Sequence, residues 1–323
     1  LQQSRLGAAG LLISFSSDQD LTMQFHDLVE RICAKSPFQR KKLTTYLSSQ
    51  PESFMREADE FAARYGAFLA DRGISVDYVV NAYLKMCADM MRCQVAFLRS
   101  GKYPLASAAE ADQAVYQSEP EMLSYMVGLG MSQFLWSTHY QIFTAFKALL
   151  AERAPVTKRY LEIGPGHGLL LEQALTTLDR LEDAVAIDLS PTSLGLTRAL
   201  TEWVLPDERR LRYLLGDVMQ VDPGGNFDLI IMGEVLEHVE QPHRLLQRLR
   251  ELLAPGGKLF VSTCANCPAI DHVYQLDNVM QIRTLLTDSG FNIDWDLPLP
   301  VEDMPVDAAE VARVTINYCA VLS

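Results

Sequence analysis

The spacing of hydrophobic positions changes near residue 152. Before it, apolar residues recur three and four apart, as on the buried face of amphipathic helices. After it, short apolar runs alternate with helical patterns, as in strand–helix units that build a parallel sheet. In the first half Ser75 stands as the N-cap of a helix carrying Val80, Leu84, Cys87, Met91 and Leu98 on one face. Gly101-Lys102-Tyr103-Pro104 ends that helix. Ser118 and Glu121 have the spacing of a capping box, and Gly128 and Gly130 are expected to interrupt the helix they open. A further helix spans 132–152, and nothing before residue 155 requires a strand. In the second half strands are expected over 159–163, 184–187, 211–215, 227–232, 258–263, 291–295 and 314–321, the last antiparallel. Ser190-Pro191 starts one intervening helix. A second, over 241–253, has Leu245, Leu249 and Leu252 on one face and stops at Pro255-Gly256-Gly257; a third covers 278–289. The pattern therefore predicts an all-helical domain over 1–152 and an α/β domain with a seven-stranded Rossmann-like sheet over 153–323.

Composition fits this picture. Hydrophobic residues make up 49% and charged residues 21% of 323 residues, as in an ordinary globular protein with room for two domains. No apolar run reaches the ~20 residues that cross a bilayer. The Leu11-Leu12-Ile13 patch is too short for a signal-peptide core, so a cytoplasmic protein is expected. The net charge of −13 argues against nucleic acid or anionic membrane as partner. Arg40-Lys41-Lys42 is the one basic cluster, and it reads as a solvated helix surface.

Of the six cysteines, Cys33, Cys87 and Cys93 fall in helical patterns and Cys319 in a strand, where cysteine packs as a small hydrophobe. Cys264 and Cys267 form a lone C-x-x-C after a strand. It lacks the second pair of a zinc site and does not open a helix as a redox pair would. Small residues beside a pocket, with no metal, is the expectation.

Candidate chemistry lies at the carboxyl ends of successive strands, where ligands bind open α/β sheets. Glu162-x-Gly164-x-Gly166-x-Gly168 follows a strand and opens a helix. Glycines there allow positive φ and close ligand approach, and the helix start offers free amides. Asp188 ends the second strand 20 positions after Gly168, where a carboxylate accepts hydrogen bonds from ribose hydroxyls. Such spacing also suits NAD, but the loop is G-x-G-x-G rather than G-x-G-x-x-G. Gly216-Asp217-Val218 ends the third strand, and Asp217 is placed to accept from an exocyclic amine. Gly233-Glu234-Val235-Leu236-Glu237-His238 ends the fourth.

Together these motifs resemble the class I S-adenosylmethionine (SAM) dependent methyltransferase family. Tyr160 to Gly168 resembles its first motif and Ala186-Ile-Asp-Leu-Ser190 its second. Gly216-Asp217-Val218 resembles its adenine-binding motif, and 227–238 and 253–259 its later motifs. The resemblance covers about residues 155–323. It implies that Glu162, Gly164, Gly166 and Gly168 hold the methionine part of SAM. Asp188 and Leu189 would hold the ribose, Asp217 and Val218 the adenine, and Glu234 and Val235 would lie near the sulfonium. No N-P-P-Y motif of base-modifying enzymes and no winged-helix pattern is present. The expected function is therefore methyl transfer to a small molecule, a hydroxyl, carboxylate or amine, in secondary metabolism.

Residues that meet the acceptor are less sharply marked. One group is Asn266, Asp271, His272 and Tyr274 after the fifth strand, with His272 as base and Asp271 orienting it; a loop with a helix-capping Asp is the competing reading. The other is Trp136, His139, Tyr140 and Phe143 on one helical face, with Tyr140 and His139 turned to the site and Phe143 in the core. The helical domain would then form a lid and a homodimer surface. Two alternatives stay open. A resemblance to azetidine-2-carboxylate synthase-like SAM cyclases implies attack of SAM's own amine on its γ-carbon, giving methylthioadenosine. A SAM-binding protein without turnover is the other.

Overall fold

The structure is a computed structural model that describes residues 23–103, 107 and 118–323. The Leu11-Leu12-Ile13 patch and Pro104 lie outside the described residues. Helices α1 (Phe25–Lys35), α2 (Pro37–Ser48), α3 (Glu52–Asp71), α4 (Val76–Ser100), α5 (Glu119–Leu135) and α6 (Ser137–Arg153) precede the first strand. The Ser75 hydroxyl accepts the Tyr78 N–H, and Gly101 closes α4 in the left-handed region, as expected. Two expectations fail. Ser118 makes no side-chain cap bond, although a helix does begin beside it. Gly128 and Gly130 do not interrupt α5, which runs unbroken to Leu135. Their use is close packing: a Cβ on Gly128 would lie 3.0 Å from the Ala82 carbonyl oxygen on α4, and one on Gly130 would lie 3.1 Å from the Tyr65 hydroxyl. The break comes instead at Trp136, whose extended backbone separates α5 from α6. Gly128→Val should therefore destabilise the fold by about 1–3 kcal/mol through overpacking against backbone, measured by urea denaturation; an unchanged midpoint would refute the close-approach reading.

The second half alternates strands and helices. Strands β1 (Arg159–Ile163), β2 (Asp183–Asp188), β3 (Leu211–Leu215), β4 (Phe227–Gly233), β5 (Leu253–Ala265), β6 (Ile293–Pro300) and β7 (Ile316–Leu322) form one sheet in the order β3-β2-β1-β4-β5-β7-β6. The strand order reverses at β1 and β4, which opens a crevice at their carboxyl ends. β7 runs antiparallel to both β5 and β6. Helices α7 (Leu169–Thr177), α8 (Pro191–Val204), α9 (Pro242–Leu252), α10 (Val279–Asp288) and α11 (Val306–Ala312) flank it. The Ser190 hydroxyl and the Asn278 side chain cap α8 and α10. Pro255-Gly256-Gly257 does not lie in a loop after α9: β5 starts at Leu253, and its pairing with β4 shifts register between Phe227 and Leu229 to absorb those residues.

The sheet buries both faces. One apolar core joins it to the helical half, with Phe146 of α6 packed on Phe260 of β5 at 5.6 Å between ring centroids. The other lies under α9 and α10. Buried strands on both faces explain the near-continuous apolar runs of β1, β2 and β4. No helix among the described residues is long and apolar enough to cross a membrane.

Candidate active site

The glycine loop is shaped by its neighbours. Gly164, Gly166 and Gly168 have φ of +64°, +57° and +80°, a region L side chains rarely enter. A Cβ on Gly164 would come within 2.8 Å of Val235 Cγ2, and one on Gly168 within 2.9 Å of the Thr197 Cα. Gly164 N–H donates to the Ile187 carbonyl at 2.8 Å, and the Thr197 hydroxyl donates to the Gly166 carbonyl at 3.0 Å. The loop is thus clamped between β2 and α8, open on its remaining side.

Asp188 faces this loop. Its carboxylate accepts from Gly166 N–H at 3.4 Å and from Ser190 N–H at 2.8 Å. Burial lifts its pKa to about 6 against the pull of those amides. Asp217 accepts the Met219 N–H at 2.9 Å, which folds the turn after β3 and leaves Val218 buried beside it. Glu234 follows β4 with φ +51°, a strained conformation for a residue other than glycine. Its Oε1 has no hydrogen-bond partner, and burial raises its pKa.

Glu162, Gly164, Gly166, Asp188, Leu189, Asp217, Val218, Glu234 and Val235 all line one cavity of about 2070 Å³. Gly168 does not line it; it stands behind the loop as the N-cap of α7. Leu189 is 66% exposed, at the rim. These residues fit SAM. The positive-φ glycine loop lines the cavity, two carboxylates sit at the ends of adjacent strands, and the unsatisfied Glu234 carboxylate oxygen lines it as well.

Glu162 is different in kind. It is buried, its carboxylate accepts the Tyr160 hydroxyl, and desolvation lifts its pKa to about 8. The folded state therefore holds its proton where the unfolded chain does not. The stability this contributes is present below the ordinary value of 4.5 and is lost as pH rises through about 8. Glu162→Gln should consequently gain thermal stability relative to the parent as pH is raised from 5 towards 9, by scanning calorimetry; parallel curves for the two proteins would disprove the assignment.

The far wall of the cavity comes from the helical half. Met122, Tyr125, Met126 and Leu129 of α5 line it, and Met126 Sδ would lie 3.2 Å from a Cβ on Gly166. His139 also lines the cavity; its Nδ1 bonds to the Ser132 hydroxyl at 2.8 Å. Desolvation lowers the pKa of His139 and of His167 to about 4, so both imidazoles are neutral at pH 7. Tyr140 is not brought to the cavity. Its hydroxyl donates to Glu57 Oε2 of α3 at 2.9 Å and its ring packs edge-on against Phe54. Phe143, expected in the core, is buried and also touches the cavity.

Asp271 and His272 both line the cavity, but not as the expected pair. Asp271 Oδ2 lies 3.4 Å from His238 Nδ1, which also bonds to the Asp271 carbonyl at 3.2 Å. His272 Nδ1 is held instead by the Cys267 carbonyl at 2.6 Å, and burial lowers its pKa to about 4. Because a carbonyl only accepts, that nitrogen carries the proton of a neutral ring. The imidazole oriented by a carboxylate is thus His238, at the end of the β4 motif. Its position was readable in the sequence; its partner, in a different loop, was not. Tyr103, whose hydroxyl accepts the Cys267 N–H at 2.9 Å, gave no signal at all.

A mixed sheet, parallel from β1 to β5, with a glycine loop after β1 and carboxylates at the ends of β2 and β3 is the Rossmann-like frame of SAM-dependent methyltransferases. Residues 136–295 match the family model described as Methyltransferase domain, and this part of the chain is a class I SAM-dependent methyltransferase domain. The chain is 35% identical over 122 residues to the ubiquinone biosynthesis O-methyltransferase of Xanthomonas axonopodis pv. citri (strain 306), covering 37% of this chain and 48% of that protein. With the like-named protein of Psychrobacter cryohalolentis it shares 29% identity over 169 residues, 51% of this chain and 63% of that one. The chain spans about half the length of the curated relatives it matches. Among solved structures, human N-acetylserotonin methyltransferase in complex with SAM aligns with a TM-score of 0.50 at 16% identity, covering 75% of this chain and 69% of that one. The cyclase SpnF aligns with a TM-score of 0.50 at 16% identity, covering 68% and 97%. At such identities the likeness is one of fold, which hosts more than one reaction.

Proposed function

We propose that this protein transfers the methyl group of SAM to a hydroxyl of a small molecule with an apolar body. The observation that carries the reading is the size of the cavity. Its volume of about 2070 Å³ exceeds the ~300–1,000 Å³ of an ordinary ligand pocket, so a second molecule fits beside SAM. Met122 and Met126 of α5 line the cavity's helical wall, which suits an apolar acceptor. The O-methyltransferase names of the relatives favour oxygen as the atom methylated, and ubiquinone precursors as acceptors over a secondary metabolite.

Bound SAM supplies a methyl group already activated by its positive sulfur, so the protein's work is placement, exclusion of water and removal of the acceptor's proton. The loop at Gly164 and Gly166 and the Asp188 carboxylate hold the donor. The α5–α6 wall covers it. His238, oriented by Asp271, takes the proton from the acceptor hydroxyl.

The test is incubation with SAM, with and without a catechol-type acceptor, and mass spectrometry of the products. S-adenosylhomocysteine formed only with acceptor supports the reading. Methylthioadenosine with a cyclic amino acid from SAM alone would establish the cyclase instead. Asp188→Ala should weaken SAM binding about 10- to 100-fold, the loss of charge-assisted hydrogen bonds, by isothermal titration; an unchanged Kd would remove Asp188 from the site.

A further inference from the structure

We propose that Cys264, Cys267 and His272 form a binding site for a thiophilic divalent cation, zinc in kind, in the wall of the cavity. One ligand atom from each of the three lies within 4.8 Å of the others, and all three residues are buried. A tetrahedral zinc with bonds of about 2.0–2.3 Å spaces its ligand atoms about 3.5 Å apart. Small side-chain rotations close the remaining gap. Two thiols with one imidazole are soft and borderline donors, which favour zinc over magnesium or calcium.

The loop is built to keep this arrangement. Asn266, between the cysteines, has φ +51°, the bend that brings residues three apart to one side. That strained residue is held from three directions. Its N–H donates to the Leu276 carbonyl at 2.8 Å, its Nδ2 to the Asp277 carbonyl at 2.9 Å, and its carbonyl accepts the Thr315 hydroxyl at 2.9 Å. The Cys267 amide is fixed by Tyr103, and the Cys267 carbonyl fixes the His272 ring. A backbone partner that sets a histidine's orientation is the usual support of a metal ligand.

Charge points the same way. Glu237 is fully enclosed beside the thiols, with Oε1 3.8 Å from Cys264 Sγ and Oε2 accepting from Thr263 at 2.9 Å. Among the described residues neither Glu237 nor Glu234 is paired with a lysine or arginine. Two thiols and two carboxyl groups therefore share one wall with no basic side chain paired to them, a donor set that a divalent cation can take up. The alternative trio of Glu237, His238 and His272 is also compact, but His238 is engaged by Asp271. Cys267 and His272 line the cavity, so the trio lies in its wall. Three protein ligands would leave one tetrahedral position for an oxygen ligand.

The full chain, prepared in reducing buffer, should retain one zinc per chain after dialysis, by plasma mass spectrometry. Cobalt(II) loaded in its place should show the charge-transfer bands of thiolate ligation. Cys267→Ser and His272→Gln should each lower zinc affinity at least about tenfold, with circular dichroism confirming that they fold. None of these readouts depends on methyl transfer. No retained zinc, a cobalt spectrum without thiolate bands, or a spectrum unchanged in both variants would overturn the site. So would ready formation of a Cys264–Cys267 disulfide in a metal-free protein, which would make the pair a redox couple.

Discussion

Gly168→Ala is expected to lower the stability of the fold by about 2–5 kcal/mol and to weaken SAM binding with it. The residue does not face the cavity, yet it sets the direction in which the loop enters α7. At φ +80° a side chain costs about 1–2 kcal/mol. The added Cβ would also lie 2.9 Å from the Thr197 Cα, a backbone atom of α8 that cannot rotate away. Such overlap costs about a further 1–3 kcal/mol. Relief comes only by moving the loop off Thr197, which breaks the Thr197–Gly166 bond and shifts the Gly166 amide from Asp188. Titration calorimetry and thermal melts together check this. A normal Kd with a lowered Tm would confine the effect to packing, and normal values of both would mean that the loop needs no glycine here.

His238→Ala should lower kcat by about 10²- to 10⁴-fold, the usual contribution of a positioned base, while leaving the Kd for SAM near the parent value. The carboxylate that orients it sits 3.4 Å away and is fully buried, so Asp271→Asn should cost about 10- to 100-fold through misorientation of the ring. Both variants should recover part of the loss as pH rises, because a more ionised acceptor needs less help. That recovery separates a base from a residue that only packs. If kcat is unchanged in His238→Ala, the proton leaves by another route. If affinity for SAM collapses as well, His238 shapes the donor site instead.

The two halves of the site differ in how far they could be read from sequence. The donor half lies on consecutive strand ends. Gly164, Gly166, Asp188, Asp217 and Glu234 recur at the spacing of strand–helix units, and the parallel run of β1 to β4 brings the ends of these strands to one edge. Local pattern and topology therefore place these residues in one cavity with no further information. The helical half has no such rule. Tyr140 and His139 are neighbours on α6, but a 100° step per residue separates them. Glu57 on α3 draws the first outward, and Ser132 on α5 holds the second beside the cavity. Gly128 and Gly130 read as breaks because a glycine's helix penalty is local, whereas the gain from close approach to α4 and Tyr65 appears only on packing.

By itself the sequence determined the α/β class, the position of nearly every strand, the glycine loop and the carboxylates that line the cavity. These follow from periodicity of two and 3.6 and from backbone conformations only glycine adopts easily. The tertiary structure alone decided which imidazole Asp271 orients, where Tyr140 points, and that the lone C-x-x-C has His272 and Glu237 beside it. Those pairings join residues in different loops and helices. Their energy depends on distance and burial in three dimensions, which no spacing along the chain encodes.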